Sequence, residues 1–214
     1  MPRLWSNREL RRFAPIFGGR VINVSAWRDE DKEGTKYQDY FTHADAYFIS
    51  NYTGARGTTN RAGEIFLDLE GEIPKEYHKY FDVVFNHTTL EHIYDLRKAF
   101  ANLCLLSRDV VILVVPFLQP GHHSKTYGDY WRFTPDALYK LFEENSFQIL
   151  YESATPYNKT AVYLFVIAAR NDSKWIGKIE AKRLDTLRLG ESAIRNPWML
   201  EVLQAWMRRL RQNV

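Results

Sequence analysis

Four of the six histidines in this 214-residue chain fall in two short stretches. His87 and His92 belong to the run from Asn86 through Glu91 to His92, and His122 and His123 follow Gln119-Pro120-Gly121. An imidazole titrates near neutral pH, so each stretch offers a general base or a metal ligand. Asp129, Tyr130 and Arg132 come soon after and can bind a polar ligand or orient a histidine. A metal site built on His122 and His123 needs a third ligand at recognisable spacing, and the chain shows none, so no metal is expected. The plain alternative for this pair is exposed polar loop.

The elements that must position these residues are legible around them. Phe81-Asp82-Val83-Val84-Phe85 is short, β-branched and aromatic, as a strand buried on both faces requires. Leu96, Ala99, Phe100 and Leu103 then recur at helical spacing, and Val110 to Val115 is a second apolar run closed by Pro116. Strand, helix and strand joined this way form a right-handed parallel unit. Open parallel sheets bind ligands at the carboxyl ends of their strands, which selects Asn86 and His87 after one strand and Pro116 to His123 after the other. Glu91-His92 is expected to begin or cap the intervening helix.

Elsewhere, Ser6 is expected to cap a helix over Asn7 to Phe17, ended by Gly18-Gly19. Further strands are predicted at 20–26, 46–50, 64–69, 147–151 and 161–169, the last two as an antiparallel pair. Thr134-Pro135-Asp136 is a helix start with a hydroxyl cap, a proline at the first position and an acid in the first turn. Residues 51–63, with three glycines and three threonines, read as an irregular loop, with a substrate lid as the alternative.

With 45% hydrophobic and 26% charged residues, the composition is that of a soluble globular protein rather than a disordered one. The single cysteine, Cys104, rules out an intrachain disulfide and fits a reducing cytoplasm, as a buried thiol rather than a nucleophile. No apolar stretch is long enough to cross a membrane, and the N-terminus is charged, so neither a span nor secretion is expected. The net charge of +3 is concentrated after residue 171, where nine Lys/Arg face five Asp/Glu. No nucleic-acid module accompanies it, and no nucleic-acid partner is expected.

The order of these elements, together with FDVV…LEH and DYWRFTP, resembles the class I S-adenosylmethionine-dependent methyltransferases. More narrowly, it is similar to small methyltransferase-domain proteins linked to surface-polysaccharide biosynthesis, over roughly residues 10 to 170. The resemblance implies a Rossmann-like α/β fold: a seven-stranded, mostly parallel sheet in the order 3-2-1-4-5-7-6, strand 7 antiparallel, helices on both faces. It implies S-adenosylmethionine across the carboxyl ends of the first four strands, near Asn23, Ser25, Asn51, Asp68, Asn86 and His87. Asp68 matches the acid that faces the adenine amino group in relatives. His122, and next His123, match the histidine that precedes DYWRFT, the expected base for an oxygen or nitrogen acceptor of small-molecule or glycan type. Asp129, Tyr130 and Arg132 are the expected acceptor contacts.

Two positions depart from the family pattern. The glycine-rich turn after the first strand is replaced by Asn23-Val24-Ser25-Ala26-Trp27-Arg28, with no glycine until Gly34. Ser50-Asn51 stands where an acid would hold the ribose. A second reading therefore stays open, a catalytically inactive relative serving as a binding or scaffold subunit. The expected organisation is a methyltransferase-like domain over 1–171 and a helical extension over 172–214. In that extension Met199, Val202, Leu203, Trp206 and Leu210 form one face, suited to self-packing, a homodimer or a protein partner.

Overall fold

The computed structural model describes residues 2–52, 63–156 and 161–184. Seven strands form one sheet: β1 Gly18–Val24, β2 His43–Asn51, β3 Glu64–Phe66, β4 Phe81–His87, β5 Ser107–Pro116, β6 Gln148–Ala154 and β7 Tyr163–Ala169. Their order is β3-β2-β1-β4-β5-β7-β6. Strands β1 to β5 pair in parallel, and β7 runs antiparallel to both β5 and β6. The expected architecture is therefore the one observed. β5 is an interior strand between β4 and β7, buried along its length except at Arg108, which is why its sequence from Val110 is an unbroken apolar run rather than an alternation.

The two faces of the sheet carry two separate cores, and strand alternation decides which residue joins which. Ile22, Val84, Val111, Leu113 and Val166 point to the side covered by α2 (Leu96–Leu106) and α3 (Pro135–Glu144). Val21, Val83, Phe85, Ile112 and Phe165 point to the other side, against α1 (Pro2–Phe13) and the aromatic turn at Tyr37, Tyr40 and Phe41. Phe100 of α2 meets Phe142 of α3 edge to face, with centroids 4.8 Å apart, joining the two helices over the sheet. Thr134 caps α3 as the sequence indicated, its hydroxyl accepting from Ala137 N at 3.2 Å.

Several boundaries differ from the sequence expectation. α1 starts at Pro2 rather than Asn7, and Ser6 lies inside it, buried, with its hydroxyl turned to the sheet instead of capping. Leu10 and Phe13 then reach the core one and two turns later. Gly18-Gly19 opens β1 rather than merely ending a helix. Gly19 has φ +81°, and a Cβ there would sit on the Asp82 carboxylate, which accepts from Arg20 N at 2.8 Å. β3 ends at Phe66, so Asp68 belongs to the turn that follows. α2 is capped by Asp95, which accepts from Lys98 N at 3.2 Å, and Glu91-His92 forms a separate 3-10 turn before it.

Beyond β7, residues 172–184 stay on the body of the protein. Trp175 packs against Phe17 with ring centroids 5.0 Å apart, and Lys182 pairs with Tyr151 as an isolated bridge. This stretch carries a short 3-10 turn at Asp172–Trp175 rather than a helix. The lid reading of residues 51–63 falls mostly, and the C-terminal helix reading wholly, outside the described residues. Among the described residues no helix is long and apolar enough to cross a membrane.

Candidate active site

A cleft of about 580 Å³ opens at the carboxyl ends of the parallel strands, within the range of about 300–1,000 Å³ typical of small-molecule sites. Its walls are the loop after β1 with Ser25 and Trp27, Asn51 at the end of β2, and Asp68 beyond β3. His87 and Thr88 at the end of β4, and His122 and Tyr127 beyond β5, complete it. Arg3 reaches in from α1.

The loop after β1 has the backbone of a glycine turn without the glycines. Ser25, Trp27, Asp29 and Lys32 have φ of 59°, 52°, 61° and 65°, each in the left-handed region that costs a non-glycine residue about 1 kcal/mol or more. Side chains sustain this path. Buried Asp29 accepts from Asn23 Nδ2 at 2.7 Å, Tyr47 OH at 2.8 Å and Gln38 N at 2.9 Å, and burial still holds its carboxyl above the usual range. Fully buried Asp31 accepts from Glu33 N, Thr35 N and the Thr35 and Tyr40 hydroxyls, and pairs with Arg11. Aspartate tolerates the left-handed region, which suits Asp29, while at Ser25, Trp27 and Lys32 the hydrogen bonds around the loop offset the cost.

Asn51 is committed to the same loop. Its Oδ1 accepts from Trp27 N at 2.6 Å, and its Nδ2 donates to Trp27 O at 3.0 Å and Glu64 Oε1 at 2.6 Å. Both amide hydrogens are thus in use, and one acceptor lone pair is left for a ligand. Asp68 accepts from Glu70 N at 2.8 Å, which closes its turn, while the residue itself lines the cleft. Asn102 of α2 donates to Leu69 O at 2.8 Å and Gly71 O at 3.0 Å, pinning that turn to the helix.

At the end of β4, Asn86 lies behind the cleft rather than on it. Its Nδ2 donates to Val24 O at 2.9 Å, tying β4 to β1, and its Oδ1 is buried without a hydrogen-bond partner. His87 is held by α1. The Ser6 hydroxyl donates to Arg3 O at 2.9 Å, so at 2.8 Å from His87 Nε2 it must accept, which puts the imidazole hydrogen on Nε2. His87 Nδ1 then accepts from Arg3 Nη1 at 3.1 Å. Burial, together with the Arg3 charge, holds this imidazole well below its usual pKa and keeps it neutral. Arg3 also contacts the hydroxyls of Tyr37 at 3.2 Å and Thr88 at 3.4 Å, and has no acidic partner among the described residues.

The loop after β5 turns the sequence-selected residues in different directions. His122 lines the cleft, whereas His123 is exposed outside it. Asp129 and Arg132 form a bidentate pair at 2.6 and 2.7 Å, and Asp129 also accepts from His122 N at 2.7 Å. The Arg132 guanidinium donates further to the carbonyls of Gln119, Pro120 and Trp131, so all its donors hold the loop. Arg132 keeps the Asp129 carboxyl well below the usual carboxylate range. Both therefore sit behind His122, in the orienting position. Tyr130 is half exposed at the cleft edge, edge-on to Tyr94 with centroids 5.4 Å apart.

Glu91 and His92 reach the same place from the 3-10 turn after β4. Glu91 is fully buried, its backbone carbonyl accepts from Tyr130 N at 2.7 Å, and both carboxylate oxygens lack a hydrogen-bond partner. Burial pushes its carboxyl up to about 7. His92 lies with its ring centroid 4.9 Å from that of His122. The sequence read Glu91 as a helix cap because it precedes an amphipathic run. Arg3 and Ser6 were missed as well, since nothing local marks a helix residue that docks on a strand eighty positions away.

The strand order and this cleft define the class I methyltransferase fold. A methyltransferase dependent on S-adenosylmethionine from Mesorhizobium loti superposes with a TM-score of 0.55 at 12% identity, over 76% of this chain and 96% of that one. Magnesium protoporphyrin IX methyltransferase from Synechocystis, with bound S-adenosylhomocysteine, gives 0.53 at 11% identity, over 79% and 83%. A chain from the complex of the Haloferax volcanii Trm112 methyltransferase activator with its methyltransferase gives 0.58 at 11% identity, over 79% and 90%. No protein-family model and no curated protein sequence matches the chain.

Proposed function

We propose that this protein is an S-adenosylmethionine-dependent methyltransferase acting on an oxygen or nitrogen of a small-molecule or glycan acceptor. The observation that carries the reading is the left-handed path of the loop after β1, kept by Ser25, Trp27 and Asp29 without glycine. Strain of this kind persists where the surroundings enforce it, commonly at ligand sites. The residues present fit the cofactor. Asp68 offers a carboxylate for the adenine amino group, Asn23, Ser25 and the loop backbone would hold the amino-acid portion, and Asn51 keeps one acceptor for the ribose. Asn86 and His87 support the edge from β4. Arg3, whose contacts are all to neutral groups, supplies a cation for the cofactor's carboxylate.

The bound cofactor would supply an activated methyl group, so the protein's part is alignment and, for a hydroxyl acceptor, removal of one proton. His122 is the base that the cleft geometry favours over His123, with Asp129 and Arg132 holding its loop. Tyr127 and Tyr130 on the cleft wall offer aromatic faces to a sugar ring. The polysaccharide setting rests on the sequence resemblance. The buried, unpaired Cys104 thiol suits a cytoplasmic site of action, and the C-terminal helical extension remains the proposed surface for a second copy or a protein partner. The inactive scaffold reading is favoured by the commitment of Asn51 to Trp27 and Glu64.

Calorimetric titration with S-adenosylmethionine and S-adenosylhomocysteine separates the two. Binding with a Kd on the order of 10 µM, weakened about tenfold or more by Asp68→Ala, is expected (about 1.4 kcal/mol per tenfold). Absence of binding at about 1 mM ligand removes the enzyme reading and leaves the scaffold.

A further inference from the structure

Glu91, His92 and His122 each bring one possible metal ligand atom to within 4.8 Å of the other two. Their arrangement goes beyond proximity. His92 Nδ1 lies 2.6 Å from Gly128 O, so it carries the hydrogen and leaves Nε2 with a free lone pair. That Nε2 lies 3.8 Å from Glu91 Oε1. A ring nitrogen held through a hydrogen bond from its partner nitrogen to a carbonyl is the usual support of a metal-bound histidine. His122 Nδ1 lies 3.6 Å from Asp129 Oδ2, too far for a hydrogen bond, and is itself buried without a hydrogen-bond partner, while Arg132 fixes that carboxylate. The Glu91 carboxylate, fully buried with neither oxygen hydrogen-bonded, is the independent sign of a missing partner, because buried polar groups are otherwise satisfied.

We propose that Glu91, His92 and one ring nitrogen of His122 bind a divalent first-row transition-metal ion, zinc foremost, on the wall of the cleft. Two imidazoles and one carboxylate are a donor set for zinc with a position left open, and they disfavour magnesium, which takes oxygen ligands. Ligand bonds of about 2.0–2.2 Å would draw the three donors inward from their present spacing. His122 and His92 line the cleft, so the open position would be reachable by an acceptor oxygen. His122 would then serve as a ligand rather than as a base. The binding claim itself does not depend on the methyltransferase reading, as its test contains no S-adenosylmethionine.

The full chain is stripped with a chelator, exchanged into metal-free buffer and titrated with cobalt(II) and zinc(II). One ion per chain is expected, with the visible bands of four-coordinate cobalt and an affinity on the order of micromolar or tighter. His122→Ala, on an outer loop, and Glu91→Gln should each weaken zinc binding by more than about 100-fold, beyond the roughly 10–100-fold loss that disturbing an outer-shell partner gives. His123→Ala should bind as the parent does. Zinc should raise the melting temperature of the parent but not of His122→Ala, which must show the parent's circular dichroism, and magnesium should leave both unchanged. Absence of binding at about 1 mM zinc, or equal affinity in the parent, His122→Ala and Glu91→Gln, overturns the proposal.

Discussion

Replacing Glu91 by glutamine should change how the stability of the metal-free protein depends on pH, and the sign follows from two buried groups that oppose each other. Glu91 keeps its proton in the folded chain up to about pH 7, whereas in the unfolded chain it ionises near its ordinary value of about 4.5. Its protonated form thus favours the fold fully below about pH 4.5, and that contribution is lost as pH rises to 7. His87 does the reverse. Held neutral in the fold by burial and by Arg3, it is protonated in the unfolded chain below about pH 6.5, so it removes stability as pH falls. Between about pH 4.5 and 6.5 the folded chain holds the Glu91 proton and the unfolded chain the His87 proton, and the two slopes cancel. Glu91→Gln removes one of them. Relative to the parent, the variant should therefore gain up to about 1.4 kcal/mol for each pH unit, or about 2 kcal/mol between pH 5 and 7, since the slope fades as pH nears the folded value. His87→Gln should tilt the difference the other way below pH 6.5. Urea unfolding at pH 5, 6 and 7 with a chelator present resolves a change of this size. A constant difference between Glu91→Gln and the parent across that range would mean Glu91 is ionised in the fold, and the burial argument would fail.

Two further substitutions probe the frame of the cleft. Gly19→Ala combines a left-handed backbone with a Cβ placed on the Asp82 carboxylate, so it should cost about 2 kcal/mol or more in urea unfolding. Asn102→Ala removes the two bonds that pin the turn carrying Asp68. It should destabilise by about 1–2 kcal/mol and weaken S-adenosylhomocysteine binding several-fold in calorimetry, although Asn102 does not line the cleft.

The sheet was legible because central parallel strands must be apolar on both sides. Phe81–Phe85 and Val110–Val115 could hardly be anything else, and the helix start at Thr134-Pro135-Asp136 is local chemistry. α1 was misplaced for the opposite reason. Ser6 has the side chain of a cap, yet its hydroxyl answers His87, a partner 81 positions away that no local rule exposes. The candidate site divides in the same way. His122 was legible because it follows a strand and Asp68 because it matches an acid of the resembled family, while the meeting of Glu91 and His92 with His122 depends on how the loop beyond β5 folds back. Arg132 looked like a ligand contact from its charge, and its full set of loop bonds became visible only with the backbone in place.

The loop from Ser25 to Thr35 has a thermodynamic consequence of its own. A glycine-rich turn is floppy until its ligand arrives, and part of the binding free energy goes into stilling it. Here the chain relinquishes that freedom when it folds, through Asp29, Asp31 and the Asn51 clip on Trp27. Residues with side chains also have fewer unfolded conformations to lose than glycine. The cost of ordering this loop thus falls on folding, and a ligand entering the cleft would not have to supply it.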